Sequence, residues 1–498
     1  MTENCLPSAV DIVNGCREGH FTAEEILAVH VQRHLATHDS INALVQTRHT
    51  EAALEAEAIT SALADRQSDW PLAGVPMSVK ECFPVRNLHT TLGVPALRNN
   101  WDTSNAKIVQ RLQETGALIV GKGNVPQAMF LHETCNPLFG RTLHPSDAQR
   151  SPGGSSGGDA ALVAAGVVPL AVGTDLAGSI RQPANACGLV GLVPRAETFG
   201  DCGSHNTMPN LRLVQARTGL LGARVTDVRY VFDAILGRHS SSKRSPAGLR
   251  IGWFDTCGPI ESVPAVRRAV HEAVAIVSKK GASVKKISSD LWEEAAWLLL
   301  AILSADGSRD IKALFEGEKP IPEVRHLLRI AGIPRYLRFL LAWMADLFGH
   351  RIESIALRAT GPRCESDREA LEEKQKIIIK QFTDLSESFD AILCPVSSLP
   401  AMRHGLAGRL VVAAIPCLAA NLCDLPAGAV PVTKVRAYEE DYHHDNRDPV
   451  MRHVAYNQVG SSGLPVGVQV VSLKRDKCEG EDLVLDIMRC IEASVTGS

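Results

Sequence analysis

Short apolar runs alternate with longer segments of helical periodicity along most of this chain, and that alternation limits the fold more than any other feature. Runs at 75–79, 117–121, 167–172, 249–254, 282–287, 391–395 and 466–472 have the length and β-branched content of buried strands. Helical patterns at 51–67, 265–280 and 367–382 lie between them, and near the N-terminus Thr22 with Glu25 forms a capping box ahead of Ile26, Leu27, Val31 and Leu35. Strands that read as continuous apolar runs are covered on both faces. The expectation is therefore an α/β protein with a twisted, mixed, largely parallel sheet wrapped by helices. The chain has 498 residues, but a single large sheet accommodates that length, and no repeat or low-complexity linker divides it. Residues 240–246 form the best candidate for an exposed loop, yet the strand–helix pattern resumes directly after it. We expect one domain over 1–498, with a helical region at about 1–70 and core motifs at 74–195.

Charge and cysteine usage exclude several classes of function. A net charge of −3 gives no electrostatic footprint for nucleic acid. Thirteen cysteines without paired metal spacing, an odd number, argue for free thiols in a reducing cytoplasm. No secretory signal is expected at the N-terminus. The apolar stretches at 160–173 and 295–303 are too short to span a bilayer, and Pro169 makes the first a buried helix followed by a strand. His443, His444 and Asp445 are adjacent in a polar acidic segment, which suits solvation better than metal binding. Cys82 and Cys135 fit as small buried hydrophobes. No metal and no cofactor is expected.

Residues 151–191 carry the densest chemical signal: SPGGSSGGDAALVAAGVVPLAVGTDLAGSIRQPANACGLVG. A Gly/Ser-rich stretch alone reads as a linker, but this one is embedded in apolar sequence. Its glycines permit tight turns that leave amide N–H groups free to face one point, as stabilisation of an oxyanion requires. The helix–strand unit between GGSSGG at 153–158 and GTDLAGS at 173–179 can bring two hydroxyls together. Neither cluster contains a histidine, so the base must come from elsewhere. Lys80 ends an apolar strand, and a lysine buried there would be partly neutral.

These residues resemble the amidase signature family. The resemblance rests on 153–158 (GGSSGG), 173–181 (GTDLAGSIR), the lysine of 74–81 (GVPMSVKE) and 463–469 (GLPVGVQ), and it runs through nearly the whole chain. Ser155 and Ser179 stand 24 positions apart, the family's interval between bridging serine and nucleophile. The resemblance implies Ser179 as nucleophile, Ser155 as a bridging serine in a cis peptide, and Lys80 as base. It assigns the oxyanion hole to the amides of Leu176, Ala177, Gly178 and Ser179. Ser156, Thr174, Asp175 and Arg181 become supporting residues. The chain departs from the family at Ala177, where glycine is usual, and at Val193-Pro194-Arg195, where Lys-Pro-Thr is usual.

Segments 80–83, 124–129, 135–140 and 424–432 resemble the fatty acid amide hydrolases within that family, which implies Met129 beside an acyl channel. Residues 324–351 interleave Leu327, Leu328, Ile330, Ile333, Leu337, Phe339, Leu340, Leu341, Trp343, Leu347 and Phe348 with Arg325, Arg329, Arg335 and Arg338. Pro334 divides them into two helices. Such a pair suits lying in one leaflet, held by apolar burial and attraction to anionic lipid; the resemblance implies a membrane-binding cap at about 321–355. The alternatives are packing on the core or against a second copy in a homodimer. The expected function is a serine hydrolase of fatty acid amides, N-acylethanolamines or primary amides, cytoplasmic and peripherally membrane-associated. A small-molecule amidase or ammonia-releasing amidotransferase subunit, and a lipid-binding pseudoenzyme, are the other readings.

Overall fold

The computed structural model describes residues 7–238, 244–442, 447–476 and 478–497. The segment 443–445 and most of the loop 240–246 therefore lie outside the described residues. An 11-stranded sheet runs through the molecule. Its strands are β1 (Leu44–Thr47), β2 (Pro76–Lys80), β3 (Leu118–Gly123), β4 (Leu170–Asp175), β5 (Val190–Val193), β6 (Arg217–Gly222), β7 (Arg250–Trp253), β8 (Ser283–Lys286), β9 (Ala391–Pro395), β10 (Ala427–Lys434) and β11 (Pro465–Ser472). They lie in the order β1-β3-β2-β4-β6-β5-β10-β11-β9-β7-β8.

The sheet is mixed, as expected for this α/β chain. Parallel ladders join β3, β2 and β4 on one side and β9, β7 and β8 on the other. Each ladder from β4 through to β9 is antiparallel. Alternation of strand and helix announced the flanks apart from the edge strand β1, a four-residue segment with no apolar run. The centre contains β5, β6 and β10, which the hydropathy pattern missed because they are short, glycine-rich or carry Pro431 beside a register shift.

Helices cover both faces. Gly157–Ala164 is buried at every position but Ala164 and precedes β4, so the apolar stretch at 160–173 is a helix followed by a strand. Pro264–Lys279 turns Val266, Ala269, Val270, Ala273 and Val277 inward, and Glu479–Thr496 turns in Val484, Leu485, Ile487, Met488 and Ile491. Both follow helical spacing and drive their own docking by apolar burial. The cysteines among the described residues are free thiols.

Three helices, Pro322–Ala331, Arg335–Leu347 and Arg351–Ala359, form a layer in the 321–355 region. Pro334 caps the second helix and separates it from the first. Tyr336, Phe339, Leu340, Trp343, Leu347 and Phe348 are exposed along the second helix, with Trp343 at 56%. Arg338 departs from the expected basic belt. It is buried, and donates from Nε to Leu357 O at 2.9 Å and from its other nitrogens to Ile330 O and Thr360 Oγ1. Helical phase puts it on the face of Ala342, opposite the apolar stripe, where carbonyls of neighbouring helices need donors. Arg335 is paired with Asp367, so the free positive charge is smaller than a count of arginines suggests. Among the described residues, no helix is long and apolar enough to cross a membrane.

Candidate active site

Lys80 closes β2 and Thr174-Asp175 closes the neighbouring parallel strand β4, so their C-terminal ends open onto one crevice. Ligands in α/β sheets gather at such an edge. Lys80 is buried to 1% exposure. Its Nζ donates to Ser155 Oγ at 2.6 Å, to Thr174 Oγ1 at 2.8 Å and to Thr174 O at 3.2 Å. Burial lowers its pKa from the ordinary lysine value, while Cys82, Asp159 and Asp175 pull weakly the other way. A neutral Lys80 would keep its two N–H bonds for Thr174 and turn its lone pair to Ser155. That is the arrangement of a base that takes a proton from a hydroxyl.

The Gly154–Ser155 peptide bond is cis. The Ser156 amide donates to Ser179 O at 3.1 Å and ties the two Gly/Ser turns together. Ser156 Oγ itself is buried without a partner, packed over Gly173, where a Cβ would sit 2.6 Å from it. Ser156 thus supports the turn through its backbone.

The 176–179 turn is anchored by Asp175. Its carboxylate accepts from the amides of Gly178 at 2.8 Å and Ile180 at 3.1 Å, and from Arg181 Nε at 3.1 Å and Nη2 at 3.0 Å. Burial would raise the Asp175 pKa, but Arg181 overrides it and holds the carboxyl below its usual range. Arg181 Nη1 spends its other bonds on Cys417 O and Gln469 Oε1, and Asn421 Nδ2 donates to Asp175.

One expectation is corrected here. The Gly178 amide is taken by Asp175 and does not face the site. Among the described residues, the amides of Leu176, Ala177 and Ser179 donate to no protein acceptor. Gly178 still has a reason to be glycine, with φ at +93° and Cys417 and Gln182 side chains 3.1 Å from any added Cβ. Ala177 sits at the usual glycine position with its carbonyl accepting from His132 Nε2 at 3.0 Å.

Ser155, Thr174, Leu176, Ser179 and Met129 line one cavity of about 620 Å³. Its apolar wall includes Met129, Leu176 and Phe199; its polar wall is built by Arg195, His205, Asn206, Arg217 and Asp424. Sequence reasoning brought Lys80, Ser155 and Ser179 to this place and missed the polar wall, His132, Asn421 and Asp159. Asp159 immediately follows GGSSGG; it accepts from Ser78 Oγ at 2.8 Å, and burial pushes its carboxyl up to about 7. A charged residue inside an apolar helix was the one available signal for it. Among the described residues, no group of histidine, cysteine and carboxylate side chains could hold a metal ion.

A family model described as Amidase matches residues 25–479. The chain belongs to the amidase signature family. It is 32% identical to a fatty-acid amide hydrolase 1 of Sus scrofa over 84% of this chain and 75% of that protein. A fatty acid amide hydrolase 1 of Caenorhabditis elegans is 28% identical over 97% of this chain and 87% of its own length. A glutamyl-tRNA(Gln) amidotransferase component of Acidothermus cellulolyticus is 29% identical over 87% of this chain and 88% of its own. Among solved structures, a fatty acid amide hydrolase superposes with a TM-score of 0.83 at 19% identity, covering 99% of this chain and 85% of that one. At that identity the superposition speaks to the fold. Membership makes this chain an amidase-family hydrolase acting on amides.

Proposed function

We propose that this hydrolase cleaves fatty acid amides through an acyl-enzyme on Ser179. The observation that carries the chemistry is the buried 2.6 Å contact between Lys80 and Ser155, sharing one cavity with Ser179. Ser179 Oγ attacks the amide carbonyl and passes its proton through Ser155 to neutral Lys80. The developing oxyanion meets the unpaired amides of Leu176, Ala177 and Ser179. The proton then returns through Ser155 to the leaving nitrogen, the C–N bond breaks, and water releases the fatty acid by the same route in reverse.

The lipid reading is supported by the apolar wall at Met129, Leu176 and Phe199 and by the exposed stripe on Arg335–Leu347. That helix has 13 residues, about 20 Å at helical rise, so it suits lying in a bilayer interface and not crossing it. We assign it as a peripheral membrane contact. A small-amide or ammonia-releasing activity is the second reading, favoured by the polar wall and by the amidotransferase relatives.

The test is hydrolysis of oleamide, a short-chain amide and glutamine by wild type and Ser179→Ala. Preference for oleamide, lost in the variant, is expected. Hydrolysis confined to the short amide or to glutamine would overturn the lipid assignment. Absence of turnover together with absence of covalent labelling by a fluorophosphonate would overturn catalysis itself.

A further inference from the structure

Residues 128–134 form a strap that runs from the cavity wall at Met129 to the two Gly/Ser turns. Ala128 and Met129 both hold left-handed φ, at 55° and 54°. Two consecutive non-glycine residues in that region are costly and persist only where the surroundings hold them. Here the Ala128 amide donates to Leu92 O at 2.8 Å and the Met129 amide to Pro126 O at 2.9 Å. Further along, the strap packs against Gly154, the residue before Ser155. A Cβ there would sit 2.6 Å from Leu131 O and 3.0 Å from the Glu133 nitrogen. Thr134 Oγ1 donates to Gly153 O at 2.9 Å. The strap is thereby keyed to the Ser155 turn through backbone contacts.

His132 carries the strap across to the Ser179 turn. Its Nε2 lies 3.0 Å from Ala177 O. A carbonyl oxygen only accepts, so the ring must hold its proton on Nε2. Burial lowers the His132 pKa from the ordinary histidine value, which keeps the ring neutral and that one proton engaged. Nε2 is therefore not available as a base. At the other end of the same peptide unit, the Gly178 amide donates to Asp175 Oδ1 at 2.8 Å. The Ala177–Gly178 unit is clamped at both its oxygen and its N–H. It needs the clamp, because Gly178, with φ at +93°, is the residue type that tolerates either orientation of the unit. Among the described residues, the amides on either side of it, those of Ala177 and Ser179, donate to no protein acceptor. Released from His132, the Ala177 carbonyl could turn its partial negative charge toward the oxygen that those amides serve.

We infer that His132 is a positioning residue for the oxyanion hole: its Nε2–H holds Ala177 O away from the reacting oxygen and keeps the Ala177 and Ser179 amides aimed at it. This rests on the proposed attack by Ser179 and adds to it a residue that acts through the turn. Because the contact bears on the developing charge, its loss slows the chemical step and leaves ground-state binding nearly unchanged.

The experiment follows labelling of Ser179 by a fluorophosphonate, whose phosphoryl oxygen takes the oxyanion position. Maximal labelling rate and half-saturating concentration are measured on the full chain for wild type, His132→Phe, His132→Asn and His132→Gln, with thermal unfolding to show that each is folded. Phenylalanine has no donor, and the asparagine amide ends at the place of Nδ1. The glutamine amide reaches about as far as Nε2. Loss of a direct oxyanion donor costs about 10²- to 10³-fold, so loss of its support should slow labelling in His132→Phe and His132→Asn by about 10- to 100-fold. Half-saturation should stay within about 2-fold of wild type, and His132→Gln should recover the rate to within about 3-fold. A role in stability alone would move the unfolding temperature and not the rate of the folded enzyme. If His132→Phe does not fold, His132→Asn carries the comparison. A wild-type rate in a folded variant that lacks the donor, or a His132→Gln rate no faster than those variants, would overturn the assignment. The probe reports on Ser179 whichever amide is turned over. A wild type that labels but leaves oleamide intact therefore refutes the lipid reading and still tests His132, whereas a wild type that does not label overturns both.

Discussion

Replacing Lys80 with Met keeps most of the side-chain volume and removes the proposed base. On the stability side two effects oppose each other. Thr174 O and Thr174 Oγ1 lose their donor, and a buried acceptor left unpaired costs about 1–3 kcal/mol. Against this, an amine whose pKa is already lowered by burial is exchanged for an apolar chain that needs no solvation. The expected net change is within about 2 kcal/mol, read by urea denaturation. The catalytic effect should be larger. A positioned base contributes about 10²- to 10⁴-fold, equivalent to about 3–5 kcal/mol of barrier. In wild type, kcat/KM on oleamide should rise with pH as Lys80 loses its proton, with a midpoint below the ordinary lysine value of 10.5. Lys80→Met should lack that limb. Because Lys80 and Ser155 act as one relay, Lys80→Met/Ser155→Ala should lose little more than either single variant. Retention of more than about a tenth of wild-type kcat/KM in Lys80→Met, or losses that add in the double variant, would refute the relay.

Asp159→Asn tests a group outside the relay. Ionised Asp159 favours the ammonium form of Lys80, so the variant should move the rising limb of kcat/KM to lower pH. With a folded value of about 7 against 3.8 unfolded, Asp159 contributes stability below pH 4 that is lost as pH rises through 7. Asp159→Asn should flatten that loss between pH 4 and pH 7; equal slopes in denaturation experiments would refute the assignment. On the surface, Leu340→Glu/Trp343→Glu should abolish flotation with anionic liposomes while shifting stability by less than about 1 kcal/mol, since both side chains are about half exposed. Unchanged flotation would remove the Arg335–Leu347 helix as the membrane contact.

Much of the site was legible because local sequence carries it. GGSSGG and GTDLAGS specify turns through glycine, whereas a lysine at a strand end ordinarily reaches solvent, and Lys80 became a candidate only together with those two motifs. The helix Pro264–Lys279 followed from periodicity, Gly157–Ala164 from a short apolar run ahead of Pro169, and the flanking strands other than the edge strand β1 from short apolar runs. Periodicity failed at β5, β6 and β10, where four to eight residues with Gly or Pro give too little pattern and the ladder partners decide the structure.

Fold class, the hydroxyl pair and the base could be read along the chain, because each depends on residues close together in it or on strand ends that parallel pairing must align. Long-range packing settles which donors remain free. Asp175 claims the Gly178 amide, Arg338 turns inward to cap neighbouring helices, and Arg217 is buried with Nη1 on a distant carbonyl. Hydrogen bonds are satisfied or left open by partners hundreds of residues away, as Arg217 is by Leu425 O. No spacing along the chain encodes that balance, since it is settled only when the whole sheet closes.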